Sequence, residues 1–280
     1  MSVGTLWIVI ASLAWAASDA LRKRLAGPMG PVALAWWMSV GSAPIFGLWV
    51  GLAEAGWPAP AYWPWAIAAF AGTLCATLLM LAALAVADLG VAIPMLALTP
   101  VFSALVAWAT IGEVLDPGGW IGVVLVVTGA VGLQLHGRRW KPDRGAAMMA
   151  GVALLWSMTS VFDKVALQHA AVPAHAGIQV GGAALVLGPW LALRGRARDL
   201  LPPPGHRAAA VGLVLAFGLA FGAQLLAVQL EPVSRVETIK RAMGLASAVV
   251  LGRLFFDERL NVARIAGVTL MGLGAALVLG

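Results

Sequence analysis

Of 280 residues only one, Cys75, is a cysteine, and it lies inside an apolar run. A lone thiol closes no internal disulfide, and without a CxxC or a Cys/His cluster nothing points to a metal. Charge is scarce as well. Asp, Glu, Lys and Arg make up 11% of the chain, about half the share of a soluble globular domain. No GxxxxGK[ST] occurs, which excludes a P-loop and ATP as the energy source. The histidines, His136, His169, His175 and His206, fall in or near turns, far from any nucleophile or paired acids at one depth, so an intramembrane enzyme is disfavoured. No cofactor is expected. The amino terminus MSVGTLWIVI has no basic n-region and reads as a first membrane segment rather than a cleaved signal peptide.

What the chain does contain is apolar: 61% of it is hydrophobic, with 33 Gly and 13 Trp, which marks an integral membrane protein. A net charge of +6 and a pI near 10.4 would raise nucleic acid as a partner for a soluble domain. Here Lys and Arg sit in short turns between apolar runs, where orientation signals and lipid headgroups account for them. Membrane lipid is the expected partner and nucleic acid is not.

Ten apolar segments can be counted, at about 3 to 21, 31 to 52, 63 to 86, 89 to 111, 118 to 136, 146 to 168, 174 to 193, 208 to 230, 234 to 256 and 261 to 280. Several approach the 20 or so residues that a helix needs to cross ~30 Å of hydrocarbon. Barrel strands would be about ten residues long and alternate polar with apolar, so helices are expected. The expected fold is all-α, with ten transmembrane helices.

The segments repeat. A shift of 145 residues sets Pro44 on Pro189, Glu113 on Glu258, Gly122 on Gly267 and Gly129 on Gly274, and a shift of 141 sets Trp15 on Trp156 and Lys23 on Lys164. The chain therefore divides into two five-helix units, residues 1–140 and 141–280. Five is odd, so the second unit enters the membrane inverted, and such pairs place a substrate near the midplane between the halves.

One stretch stands apart. Residues 231–260 are of membrane-spanning length yet carry Glu237, Lys240 and Arg241 about 5 to 10 Å into the helix at ~1.5 Å per residue. A charge at that depth costs about 2 to 3 kcal/mol and marks a pathway or a wet cavity. Glu237, Lys240, Arg241, Gly244 and Ala248 share one helical face. The alternative is snorkelling, with Lys240 and Arg241 reaching the interface and Glu237 pairing with Arg241. The equivalent face of the fourth segment offers Ala92, Leu96, Thr99 and Ser103, and Gln224, Trp15 and Trp156 are further candidates to line the cavity. Gln179 is expected to bond between helices. Trp36, Trp37, Trp57, Trp63, Trp65, Trp120 and Trp140, near segment ends, read as an interfacial belt.

Candidates for coupling or gating are Asp19, Lys23, Lys164, Pro94 and Pro100. Asp19 either pairs with Arg22 or Lys23 or exchanges a proton for substrate. Lys23 and Lys164 close their helices at the negative end of the dipole, and Lys164 could also belong to a gate. Pro94 and Pro100 interrupt the fourth segment, as broken helices beside transporter sites do. Asp116 and Asn261 look like helix caps next to Glu113 and Glu258, for which a structural role is expected. Small residues four apart, Gly47/Gly51, Gly118/Gly122, Gly177/Gly181 and Gly218/Gly222, are expected to pack helices closely within a monomer, with a homodimer as the alternative.

Each half resembles the EamA-type unit of the drug/metabolite transporter superfamily: a Trp then a Lys in the first helix (Trp15, Lys23; Trp156, Lys164), and a Glu between the fourth and fifth (IGEVL, FDERL) before a Gly-spaced last helix. The resemblance implies a ten-helix carrier of small metabolites in the inner (plasma) membrane, with the first, third and fourth helices of each half around a central cavity. The departure is the IKR of the ninth segment, absent from the fourth. An anionic or zwitterionic solute such as an amino acid is expected, the alternatives being a proton-coupled exporter of cationic drugs and a flippase of lipid-linked substrates.

Orientation follows from charge. With ten spans, 14 of the 18 Lys and Arg lie away from the face that holds the termini and 4 (Lys164, Arg235, Lys240, Arg241) lie towards it. Positive residues stay inside. Both termini are expected outside, although the family resemblance suggests the cytoplasm. A carboxy-terminal reporter active only in the cytoplasm should stay silent, and a signal from it would overturn the assignment.

Overall fold

The computed structural model describes residues 2–26, 28–86, 93–135, 144–196, 200–202, 204–256 and 262–279, and the side chains at all of these except 81, 84–86, 93–94, 133–135, 248–256 and 262–264. Glu258, Asn261, Ala92, His136, Trp140 and the side chains of Pro94 and Ala248 lie outside this description. Among the described residues the α-helices are, in order, α1 (Val3–Leu25), α2 (Pro31–Leu52), α3 (Tyr62–Val86), α4 (Thr99–Ile111), α5 (Pro117–Leu135), α6 (Arg144–Ala166), α7 (Val172–Leu193), α8 (Arg207–Leu230), α9 (Val233–Phe256) and α10 (Val262–Leu279). A 3₁₀ helix, Ile93–Leu98, leads into α4.

Among the described residues, six helices, α1, α2, α6, α7, α8 and the Tyr62–Met80 part of α3, are long and apolar enough to cross a membrane; Met95–Ile111, Pro117–Gly132 and Ile265–Leu279 are shorter apolar helices. The fold is an all-helical, multi-pass membrane architecture. Proline punctuates it: Pro31 opens α2, and Pro100 and Pro173 stand in the first turns of α4 and α7, where a missing N–H has no intrahelical partner to lose. The fourth segment is thus broken, as its prolines suggest, into a tight turn and a 13-residue helix.

Packing follows the repeat. The most extensive helix pairs are α1 with α8, α3 with α6, α2 with α7, and α5 with α10. Exchanging the halves converts α1/α8 into α6/α3 and leaves α2/α7 and α5/α10 unchanged, the pattern of a two-fold relation. The crossing of α5 and α10 gives its direction. A Cβ on Gly122 would lie 2.5 Å from the carbonyl oxygen of Gly274, one on Gly274 would lie 2.5 Å from that of Gly122, and one on Gly129 would lie 2.7 Å from that of Gly267. Residue 122 meets 274 while 129 meets 267, so the helices run antiparallel. These glycines admit backbone against backbone.

Gly122→Leu should therefore cost roughly 2 kcal/mol or more, since the obstacle is main chain that cannot swing aside. Gly47→Ala should be neutral, because nothing lies within 4 Å of a Cβ there. Thermal unfolding of the two variants in detergent checks both. Gly51 and Gly181 are equally open, so the close packing expected of Gly47/Gly51 and of the second member of Gly177/Gly181 is not found. In a Gly-rich apolar chain a four-residue spacing recurs on lipid-facing surfaces as well as at helix contacts.

Short contacts gather Ser2, Glu113, Lys164 and Glu231 at one face of the bundle, here the terminus face. Just beneath it, Ile8, Ala107, Val161, Ala227, Val228, Val233, Val236 and Ile239 form one dry cluster joining α1, α4, α6, α8 and α9. Towards the opposite face the described apolar residues divide into separate clusters, one on α1, α2, α7 and α8 and another on α3, the 3₁₀ turn and α6. The bundle is sealed at the terminus face.

Candidate functional site

The charged face of α9, one to two turns in from the terminus face, meets α1, α4, α6 and α8. Glu237, 3% exposed, accepts from Ser160 Oγ of α6 at 2.9 Å and from Lys240 Nζ at 2.6 Å. Lys240 also donates to Gln224 Oε1 of α8 at 3.1 Å, and that oxygen accepts a 2.8 Å bond from Trp15 Nε1 of α1. Arg241 Nη2 turns the other way, donating to Thr99 Oγ1 of α4 at 3.0 Å. Thr99 passes its own proton to the Leu96 carbonyl at 2.7 Å, and its carbonyl accepts from Ser157 at 3.1 Å. The break before α4 makes this geometry. Pro100, four residues after Leu96, has no N–H to give to the Leu96 carbonyl, which is left to hold the hydroxyl that faces Arg241.

This arrangement corrects the snorkelling pattern. Glu237 pairs with Lys240, not with Arg241, and both cations are held inside the bundle by partners on other helices. A buried carboxylate with two donors and a guanidinium on a hydroxyl recover much of what leaving water costs. Every described charge here has a protein partner, so an entering anion must exchange for one of them. Aromatic surface completes the site: Phe217 meets Trp15 edge to face at 5.7 Å and stacks on Phe221 at 5.9 Å.

The other expected residues divide by position. Asp19 pairs with Arg22 at 3.2 Å and is 67% exposed, and Arg22 lies 5.2 Å from the centre of the Trp15 ring. Asp19 is also within electrostatic range of Lys240 and Arg241, and lies further along α1 from the seal. Lys23 is exposed in the last turn of α1. Ser103 is fully buried and donates to the Pro100 carbonyl of its own helix. Trp156 packs among Met95, Met149 and their neighbours, outside the polar network. Gln179 bonds the Ala66 carbonyl of α3, an interhelical contact as expected.

Lys164 makes the seal. It forms an ion pair with Glu113 and donates to the Glu231 carbonyl at 2.7 Å. Glu113 in turn accepts from the Val233 N–H at 2.9 Å, capping α9 from a distant loop, while Asp116 caps its own helix through Gly119 at 2.5 Å. Glu231 accepts from Ser2 Oγ at 2.6 Å and pairs with Arg235 at 3.1 Å. A cavity of about 320 Å³ at this face is lined by Ser2, Thr5, Glu231, Arg235 and Leu279.

One cluster corrects the sequence reading. His175, expected far from any chemical set, is fully buried between Tyr62 and Asp163. The signal was available: Asp163 and His175 flank a short connection, so both fall at the same membrane face.

A multi-pass helical bundle of two repeats, with a hydrogen-bonded belt of buried charge and a seal on one side, is the architecture of a membrane transporter. The chain belongs to the EamA-like transporter family, whose model matches twice, over residues 2–135 and 143–280; EamA is part of the drug/metabolite transporter superfamily. A solved structure described only as "Crystal structure of protein" aligns with a TM-score of 0.80 at 23% identity, over 98% of this chain and 96% of that one, a likeness of fold. No curated protein matches the chain.

Proposed function

We propose that this protein is a secondary transporter of a small anionic or zwitterionic organic solute, such as an amino acid, working by alternating access across ten spans arranged as two inverted five-helix repeats. It sits in the plasma membrane with both termini outside. One observation carries the solute class: one to two turns into α9, Lys240 and Arg241 outnumber Glu237, beside hydroxyl and aromatic groups, while the further carboxylate within range, Asp19, is already paired with Arg22. A carboxylate on the solute takes over the guanidinium from Thr99 with two parallel hydrogen bonds, which a lysine cannot reproduce. Trp15, Phe217 and Phe221 supply apolar surface for the rest of the solute. Inversion is supported by the antiparallel crossing at Gly122 and Gly274, and the lock of Lys164 on Glu113 is the natural gate of one face.

Flux of acidic, zwitterionic and cationic solutes in proteoliposomes tests the reading. Anionic or zwitterionic solutes should be preferred; a preference for cations would sink the proposal and favour the drug-exporter alternative, and transport of lipid-linked substrates alone would favour a flippase.

A further inference from the structure

Three titratable side chains at the terminus face take no part in the central belt. Tyr62 Oη meets Nδ1 of His175 at 2.9 Å, and Nε2 of His175 meets Oδ1 of Asp163 at 3.1 Å. They come from the first turns of α3 and α7 and the last turn of α6, and the two rings pack edge to face at 5.6 Å. Tyr62 and His175 are fully buried and Asp163 nearly so.

We propose that Tyr62, His175 and Asp163 form a proton-binding site whose occupancy is linked to opening and closing of the terminus face; the link to a transport cycle rests on the carrier reading above. A histidine held in this way has partners in both protonation states. When it is neutral, Nε2–H donates to Asp163 and Nδ1 accepts from the tyrosine hydroxyl. When it is a cation, Nε2–H still donates to Asp163 and the new Nδ1–H donates to the tyrosine oxygen, whose own hydrogen has swung away. The site takes a proton from the aqueous phase at Nδ1, forms one N–H bond and loses none of its contacts to the ring. An isolated buried histidine has no such arrangement and would leave a charge or a donor unpaired.

Few other titratable groups stand near the site. α2 contributes no titratable group, α3 only Cys75 besides Tyr62, α7 none besides His175, and α8 only Arg207 at its far end. α6 adds Arg144 at its far end and Lys164; the adjoining connections add Glu54 and His169, and the start of α9 adds Glu231 and Arg235. The buried or half-buried carboxylates of this face, Glu113, Glu231 and Asp163, outnumber Lys164 and Arg235, both already engaged. A proton on His175 evens that balance. Asp163 and Lys164 are consecutive in the last turn of α6, so the partner of His175 and the lysine that fastens Glu113 are carried by the same turn and move together.

The test needs no transported solute. Spin labels at Val114→Cys and Gln168→Cys, in a full-length Cys75→Ser chain in nanodiscs, report the separation of Glu113 from Lys164. Between about pH 5.5 and about pH 8.5, a range that spans ordinary histidine titration, the ratio of short to long distances should change several-fold. His175→Gln and Asp163→Asn should abolish the change, and Tyr62→Phe should move its midpoint. A pH-insensitive distance in the parent, or an unaltered response in His175→Gln, overturns the proposal; if that variant fails to fold, an unmoved midpoint in Tyr62→Phe does so. Because no solute is present, failure here leaves the flux experiment standing, and failure of the flux experiment leaves this one.

Discussion

Arg241→Ala should lower flux of anionic or zwitterionic solutes by about 10- to 100-fold, the loss of a hydrogen bond to a charged group worth about 1.5 to 3 kcal/mol. Thr99 would keep its bond to the Leu96 carbonyl, so the local fold should survive and the deficit should appear in transport rather than in unfolding temperature. Arg241→Lys keeps the charge but loses the planar fork, and should still cost about 10-fold. Lys240 cannot compensate, because it is engaged with Glu237 and Gln224. Initial rates in proteoliposomes at matched protein content decide the matter. Flux unchanged by Arg241→Ala would remove α9 from the solute path and return its charges to a structural role.

Lys164→Met should release the terminus face. The lysine holds Glu113 and the Glu231 carbonyl together, and methionine keeps an apolar stem of similar length while removing the charge. Breaking a largely buried pair costs about 3 kcal/mol, discounted here because both partners retain some exposure, so the closed state should lose about 10- to 100-fold in population against the open one. The Val114 and Gln168 spin-label pair reads this directly as growth of the long-distance population. Glu113→Gln separates two roles: its amide oxygen can still accept from Val233 N–H, so the cap should hold while the ion pair is lost. An unaltered distance distribution in both variants would show that the apolar cluster alone closes this face.

Much of this was legible beforehand, for definite reasons. Apolar run length and the lack of charge determine an all-helical membrane protein, since lipid offers backbone groups no other partners. The Trp, Lys, Glu and Gly spacing determined the duplication. Depth alone made Glu237, Lys240 and Arg241 conspicuous, and Pro94 and Pro100 marked the broken fourth segment. Partner choice was not legible, because it depends on which helices meet. Glu237 and Arg241 are four residues apart and could pair on an isolated helix, yet Ser160 of α6 and Thr99 of α4 draw them to opposite sides. Glu113 looked local to its turn and instead caps α9. Gly47 and Gly122 have the same local spacing, and only the antiparallel meeting of α5 and α10 makes one of them indispensable. His175 read as a turn residue until three helix ends converged on it. The sequence by itself determined the helices, the repeat and the buried charges, because these follow from short-range pattern and the cost of leaving water. Tertiary structure decided which of those charges face one another and which face is sealed, because those depend on contacts between residues far apart in the chain.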